Sequence, residues 1–154
     1  MNLKDYLFEY NTISLQAEAN SWQSAVKLGT DLLVEAGTVE PRYYDAIIES
    51  TLKLGPYYIL APGMAMPHAR PEGGVIRTGY SLVTLKTPVA FGDVDNDPID
   101  ILITMAAKDT ETQNKSAIVQ VVSLLDSEER VQWLKTAKNQ EDLKRIFESL
   151  TDFE

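Results

Sequence analysis

Ile99-Asp100-Ile101-Leu102-Ile103-Thr104-Met105-Ala106-Ala107 is apolar at every position except Asp100 and Thr104. A strand with one wet face alternates polar and apolar residues, so this near-continuous run predicts a strand covered on both faces by other layers. Just upstream, Gly92-Asp93-Val94-Asp95-Asn96-Asp97-Pro98 reads as a polar turn, Val89 to Phe91 as a short strand, and Tyr80 to Lys86 as a strand by partial alternation. Tyr57 to Leu60 is a further short apolar strand. Beyond these the period becomes helical. Trp22, Ala25, Val26, Gly29, Leu32, Leu33 and Ala36 recur at helical spacing between an Asn20-Ser21 cap and Gly37. A second helix begins near Pro41, carries Tyr44, Ile47, Ile48 and Thr51 on one face, and stops at Gly55-Pro56. The last third predicts helices over 114–125, over 127–137 behind an Asp126/Ser127 cap, and over 139–150 with Leu143, Ile146, Phe147 and Leu150 on one face. Helices flanking a central group of strands predict an α/β fold: a single-domain layered sandwich spanning 1–154, with a mixed sheet between helices.

The bulk numbers narrow the function. The chain has 154 residues, 44% of them hydrophobic and 24% charged, which is globular rather than disordered composition. A net charge of -9 repels a phosphate backbone, so nucleic acid is not an expected partner. No segment approaches the roughly 20 apolar residues of a membrane helix, and Met1-Asn2-Leu3-Lys4-Asp5 lacks a signal-peptide pattern, so a cytoplasmic location is expected. The chain holds no cysteine, which removes disulfides, thiolate metal sites and cysteine nucleophiles.

Its one histidine, His68, lies in Gly63-Met64-Ala65-Met66-Pro67-His68-Ala69-Arg70, inside a segment from Pro62 to Gly79 so rich in proline and glycine that it predicts a shaped loop. Imidazole is the side chain that is partly neutral and partly protonated near neutral pH, so it can act there as nucleophile, base or ligand. Pro67 restricts the backbone leading into it. Such a ring can equally be a structural histidine satisfied by a backbone carbonyl; the loop setting favours a reactive one. Met64 and Met66 suit either the core or an adaptable apolar collar. Arg70 can donate to a phosphoryl group, or pair with Glu72 as a surface charge. Metal binding finds no support: there is no second histidine, no HExxH, and Asp93, Asp95 and Asp97 lack the glycine and glutamate of an EF-hand loop. Neither a nucleotide-phosphate loop nor a G-x-S-x-G elbow occurs.

Gly63-Met64-Ala65-Met66-Pro67-His68 resembles the Gly-x-Ala-x-Pro-His hallmark of enzyme IIA of the bacterial phosphoenolpyruvate-dependent sugar phosphotransferase system, in its mannitol and fructose class. Ala69-Arg70-Pro71-Glu72-Gly73-Gly74-Val75 and Leu54-Gly55-Pro56-Tyr57-Tyr58 look most like the ascorbate branch, and the similarity extends over most of the chain. The resemblance implies that His68 accepts a phosphoryl group from the histidine-containing phosphocarrier protein and passes it to a cysteine of an enzyme IIB. It also implies an α/β sandwich, no cofactor, a separate IIB polypeptide, and contact with the membrane only through the transporter complex. One departure stands out. Many relatives carry a second histidine opening the helix after the long apolar strand, where this chain reads Asp109-Thr110-Glu111-Thr112-Gln113-Asn114-Lys115-Ser116. Asn114 aligns nearest that position, with Gln113 as the other candidate; an amide there can donate to a phosphoryl oxygen or orient the ring, or Asn114 can simply be a helix N-cap. A regulatory module of the same family, controlling another protein through its phosphorylation state, fits the same residues, and an interaction domain with a purely structural histidine is the third reading.

Overall fold

The computed structural model describes residues 1–150, and for Gln113 and Asn114 the backbone only. Its centre is a five-stranded mixed sheet in the order β1-β4-β5-β3-β2. β5 (Ile99–Ala106) is the run that opened the argument: Ile101, Leu102, Ile103 and Thr104 are all fully buried, so both faces are covered, as expected. β4 (Gly79–Val89) lies antiparallel to it, pairing Gly79 with Ala106 and, past an irregularity, Val89 with Ile99. The expected short strand at Val89–Phe91 is therefore not separate; Val89 ends β4. β3 (Met64–Ala65) runs parallel to β5 on its other side, and β2 (Ile59–Ala61) closes that edge antiparallel to β3.

Two elements near the N-terminus were not foreseen. α1 (Leu3–Tyr10) is capped by Asn2, whose side chain accepts from Asp5 N, and it buries Leu3, Tyr6 and Leu7. β1 (Ile13–Ala17) pairs parallel to β4 at the far edge, with a bulge between Ser14 and Ala17. Every residue of β1 is half-buried, although Ile13-Ser14-Leu15-Gln16-Ala17 alternates apolar and polar, a strand signal that sequence reasoning missed.

The long helices fall where periodicity placed them. α2 (Trp22–Glu35) starts with a Ser21/Ser24 capping box and packs on β4 and β5. Gly29 is needed at that contact, since a Cβ there would stand 2.3 Å from Thr104 Oγ1. α3 (Arg42–Leu54) follows Pro41 and ends at Gly55, whose φ of 79° suits glycine. Its buried face is Tyr43, Ile47 and Thr51: Ile47 and Thr51 are as expected, Tyr43 takes the place expected of Tyr44, and Tyr44 and Ile48 are only half-buried. After β5 come a short α4 (Thr110–Thr112), a π turn (Gln113–Ala117), α5 (Ile118–Leu125), α6 (Glu128–Thr136) behind its Ser127 cap, and α7 (Gln140–Glu148) behind Asn139. The helix expected from 114 thus begins earlier, and its cap is Asp109, whose Oδ1 accepts from Thr112 N at 2.7 Å. That overturns the capping role for Asn114, which lies inside the π turn. No helix among the described residues is long and apolar enough to cross a membrane.

Candidate functional site

β3 and β5 are parallel, so the segments leaving their C-terminal ends emerge on the same side of the sheet. The first leads to His68 and the second to Asp109 and the π turn, a helix irregularity that often marks functional positions. From Pro62 to the start of β4 the chain is mostly irregular, as expected, yet it contains the two-residue β3 and a short 3-10 turn over Pro71–Gly73.

This loop is held at almost every step. Gly63 N donates to Asn96 O, and Gly63 O accepts from Asp100 N and Ile101 N. Met66 N donates to Tyr58 O at 2.9 Å, and Pro67, which has no N–H to give, accepts from Met105 N at 3.0 Å through its carbonyl. Met66 is buried and Met64 half-buried against the core, so neither forms an exposed collar. Further on, Glu40 N donates to Gly74 O and Arg42 Nη1 to Glu72 O, tying the turn to the start of α3.

Tyr43 supplies the anchor next to the histidine. Its fully buried hydroxyl accepts from Ala69 N at 3.0 Å and lies 2.7 Å from Met105 O and 3.3 Å from Ala69 O, so its one proton goes to a carbonyl. Burial pushes its pKa far up, which keeps that proton in place. From the exposed side, the Tyr57 hydroxyl donates to the His68 carbonyl, and the Tyr57 ring meets the imidazole edge-on, centroids 5.4 Å apart at 88°.

The imidazole itself is half-buried, with Nδ1 2.7 Å from Met66 O. A carbonyl can only accept, so Nδ1 carries the proton and Nε2 keeps the free lone pair. Nε2 has no hydrogen-bond partner among the described residues, and it is not one of the buried, partnerless side-chain atoms, which are Asp100 Oδ1 and Thr104 Oγ1. The backbone carbonyl that a structural histidine would use is present, but it engages one nitrogen and leaves the other available. Burial lowers the ring's pKa below its usual 6.5, opposed by the Met66 bond, so desolvation is the larger effect and favours the neutral ring.

Arg70 is exposed and forms neither an ion pair with Glu72 nor any other pairing among the described residues, so its guanidinium is unspent two positions beyond the ring. The backbone of Asn114 and Gln113 follows β5 at the same end of the sheet, but their side chains lie outside the described residues, so their suggested roles stay without a structural counterpart. Sequence reasoning missed Tyr43 and Tyr57. The available signal was a tyrosine on a buried helix face, since a buried phenol needs a partner for its hydroxyl.

The arrangement is a rigid loop presenting one neutral, singly engaged imidazole, with donors but no assembled triad around it. Comparison with known proteins bears on the chain as a whole. The crystal structure of PtxA from Streptococcus mutans superimposes with a TM-score of 0.92 and 44% identity, covering 97% of this chain and 94% of that one. Enzyme IIA-mannitol of Escherichia coli, solved in complex with phosphorylated enzyme IIB-mannitol, gives a TM-score of 0.78 at 26% identity over 90% of this chain and 95% of that one. In sequence, the "Ascorbate-specific PTS system EIIA component" of Salmonella choleraesuis (strain SC-B67) is 56% identical over 146 residues, 93% of this chain and 95% of the relative. Residues 6–150 match the family described as "Phosphoenolpyruvate-dependent sugar phosphotransferase system, EIIA 2", and with that match over most of its length and 56% identity to a named relative, the chain belongs to that family.

Proposed function

We propose that this chain is a cytoplasmic phosphocarrier of one domain that takes a phosphoryl group on His68 Nε2 from the histidine-containing phosphocarrier protein and hands it to a cysteine of a cognate enzyme IIB, in ascorbate uptake. The observation that carries the reading is the unshared Nε2 opposite an Nδ1–H already committed to Met66 O. The name of the Salmonella relative supports ascorbate, and the IIA–IIB mannitol complex supports a IIB acceptor.

In the first step the Nε2 lone pair forms a bond to phosphorus while the donor's phosphorus–nitrogen bond breaks, its electron pair returning to the donor imidazole. Positive charge develops on the accepting ring, and the Nδ1–H bond to Met66 O strengthens as it does. Onward transfer reverses the change: a IIB thiolate attacks phosphorus and the pair returns to Nε2. Charge in such a transition state lies on the equatorial oxygens, so donors aimed at them carry the catalysis. Arg70 is the donor we assign, with Asn114 as a second. No metal or nucleotide enters either step.

The test offers phosphoenolpyruvate, enzyme I and the phosphocarrier protein to wild type and to His68→Ala, then adds the IIB of an ascorbate transporter and, separately, a mannitol IIB. Wild type should gain an acid-labile phosphoryl mass and pass it to the ascorbate IIB in preference. Equal labelling of the variant removes His68 from the reaction.

A further inference from the structure

The peptide group joining His68 to Ala69 has two polar atoms, and a tyrosine hydroxyl holds each. Tyr43 accepts from Ala69 N from within the core, and Tyr57 donates to the His68 carbonyl from the surface. Fixing both ends of one peptide plane restrains ψ of His68 and φ of Ala69 together. With Nδ1 tied to Met66 O, the imidazole then has little freedom left to turn Nε2 away from an incoming phosphorus.

Tyr57 is unusually well supported for a residue that is 41% exposed. The ring of buried Tyr58 packs edge-on to it, centroids 5.0 Å apart, and the Tyr58 hydroxyl is in turn bonded to Thr51 of α3 at 3.0 Å. The backbone N–H of Tyr57 donates to Gly55 O at 2.8 Å. Core packing does not demand this, since Tyr58 already fills the interior. The consequence of the arrangement falls on the histidine: a hydroxyl on its carbonyl and a ring edge on its imidazole.

Resting on the phosphocarrier reading, we infer that Tyr57 is a positioning residue for phosphoryl transfer, locking the peptide plane and the ring of His68 from the solvent side. It acts through His68 and has no contact with phosphorus to lose. Tyr57→Phe keeps the ring contact and releases the carbonyl, which lies at the surface and can bond water, so melting should stay close to wild type. The rate should not. Because small errors in the alignment of reacting atoms weigh heavily on rate, kcat for phosphorylation by the donor should fall about ten-fold with KM for the donor unchanged. Nitrogen NMR of the unphosphorylated ring should show one tautomer in wild type and exchange averaging in the variant.

Unchanged kcat and an unchanged single tautomer overturn the inference. So does a loss expressed only in KM, which would make Tyr57 a docking contact, or a large fall in melting temperature, which would make it structural. These results presuppose that wild type is labelled on His68; if it is not, the phosphocarrier reading fails and this inference with it, so the two failures are told apart by the wild-type lane.

Discussion

Replacing Tyr43 by phenylalanine removes a single oxygen and leaves the ring, so apolar burial and volume hardly change. What is lost is the anchor of the histidine loop. Ala69 N gives up its acceptor at 3.0 Å and Met105 O its donor at 2.7 Å, both beside a side chain with no exposed surface. The third contact, 3.3 Å to Ala69 O, is long and shares the same proton, so it adds little. A buried polar group left unpaired costs ~1–3 kcal/mol, and two such groups, less the relief of no longer burying a hydroxyl, give a net loss of ~2–3 kcal/mol. At ~2–4 °C per kcal/mol for a chain of this size, the melting temperature should fall by ~5–10 °C. Scanning calorimetry of Tyr43→Phe beside Tyr44→Phe reads this directly. Tyr44 is half-buried and uses its ring face toward Lys27, 5.1 Å from the centroid, so its variant should stay within ~0.5 kcal/mol of wild type. A Tyr43→Phe shift below ~2 °C would mean that the carbonyl and N–H find other partners, and that the hydroxyl does not hold the loop.

Two further outcomes follow from the site. Burial holds the His68 pKa below 6.5 in the folded chain, so the native state binds fewer protons there than the unfolded one. Stability from this residue is therefore complete above pH 6.5 and declines as pH falls from there toward the folded pKa; transfer, which needs the neutral ring, should have its acid midpoint below 6.5, and a midpoint at or above that value in a pH–rate profile counts against a desolvated nucleophile. Arg70→Ala should leave melting within ~0.5 kcal/mol, because the side chain is exposed and unpaired. The same variant should slow phosphorylation ~10-fold through loss of a charge-assisted donor, and wild-type transfer rates would assign Arg70 to the solvated surface instead.

The parts of the fold visible from the sequence share one property: their signal is local. Caps at Ser21 and Ser127, the stop at Gly55, and the stripe on α7 need only neighbours a few residues away. The apolar run of β5 announces burial on both faces for the same reason. β1 carries a local alternation over five residues, Ile13 to Ala17, but its place in the sheet is decided elsewhere, in a ladder to residues 82–85. β3 was hidden by its length of two residues among prolines and glycines. The start of the helix after β5 lies earlier than its sequence suggests because Asp109 caps it through one hydrogen bond of a kind that asparagine, the residue type five positions later, makes equally well.

His68 was found because it is the one imidazole in the chain and follows a proline in a motif with few alternatives. Its environment was not, because Tyr43 reaches Met105 across 62 residues of sequence and Tyr57 reaches His68 from another strand connection. Residue chemistry, helical period and the identity of the reactive group thus belong to the sequence alone, since each depends on covalent neighbours. Sheet order, the tyrosines on either side of one peptide plane, and the nitrogen left free arise only when distant segments meet, because a hydrogen bond is decided by position in space and not by order along the chain.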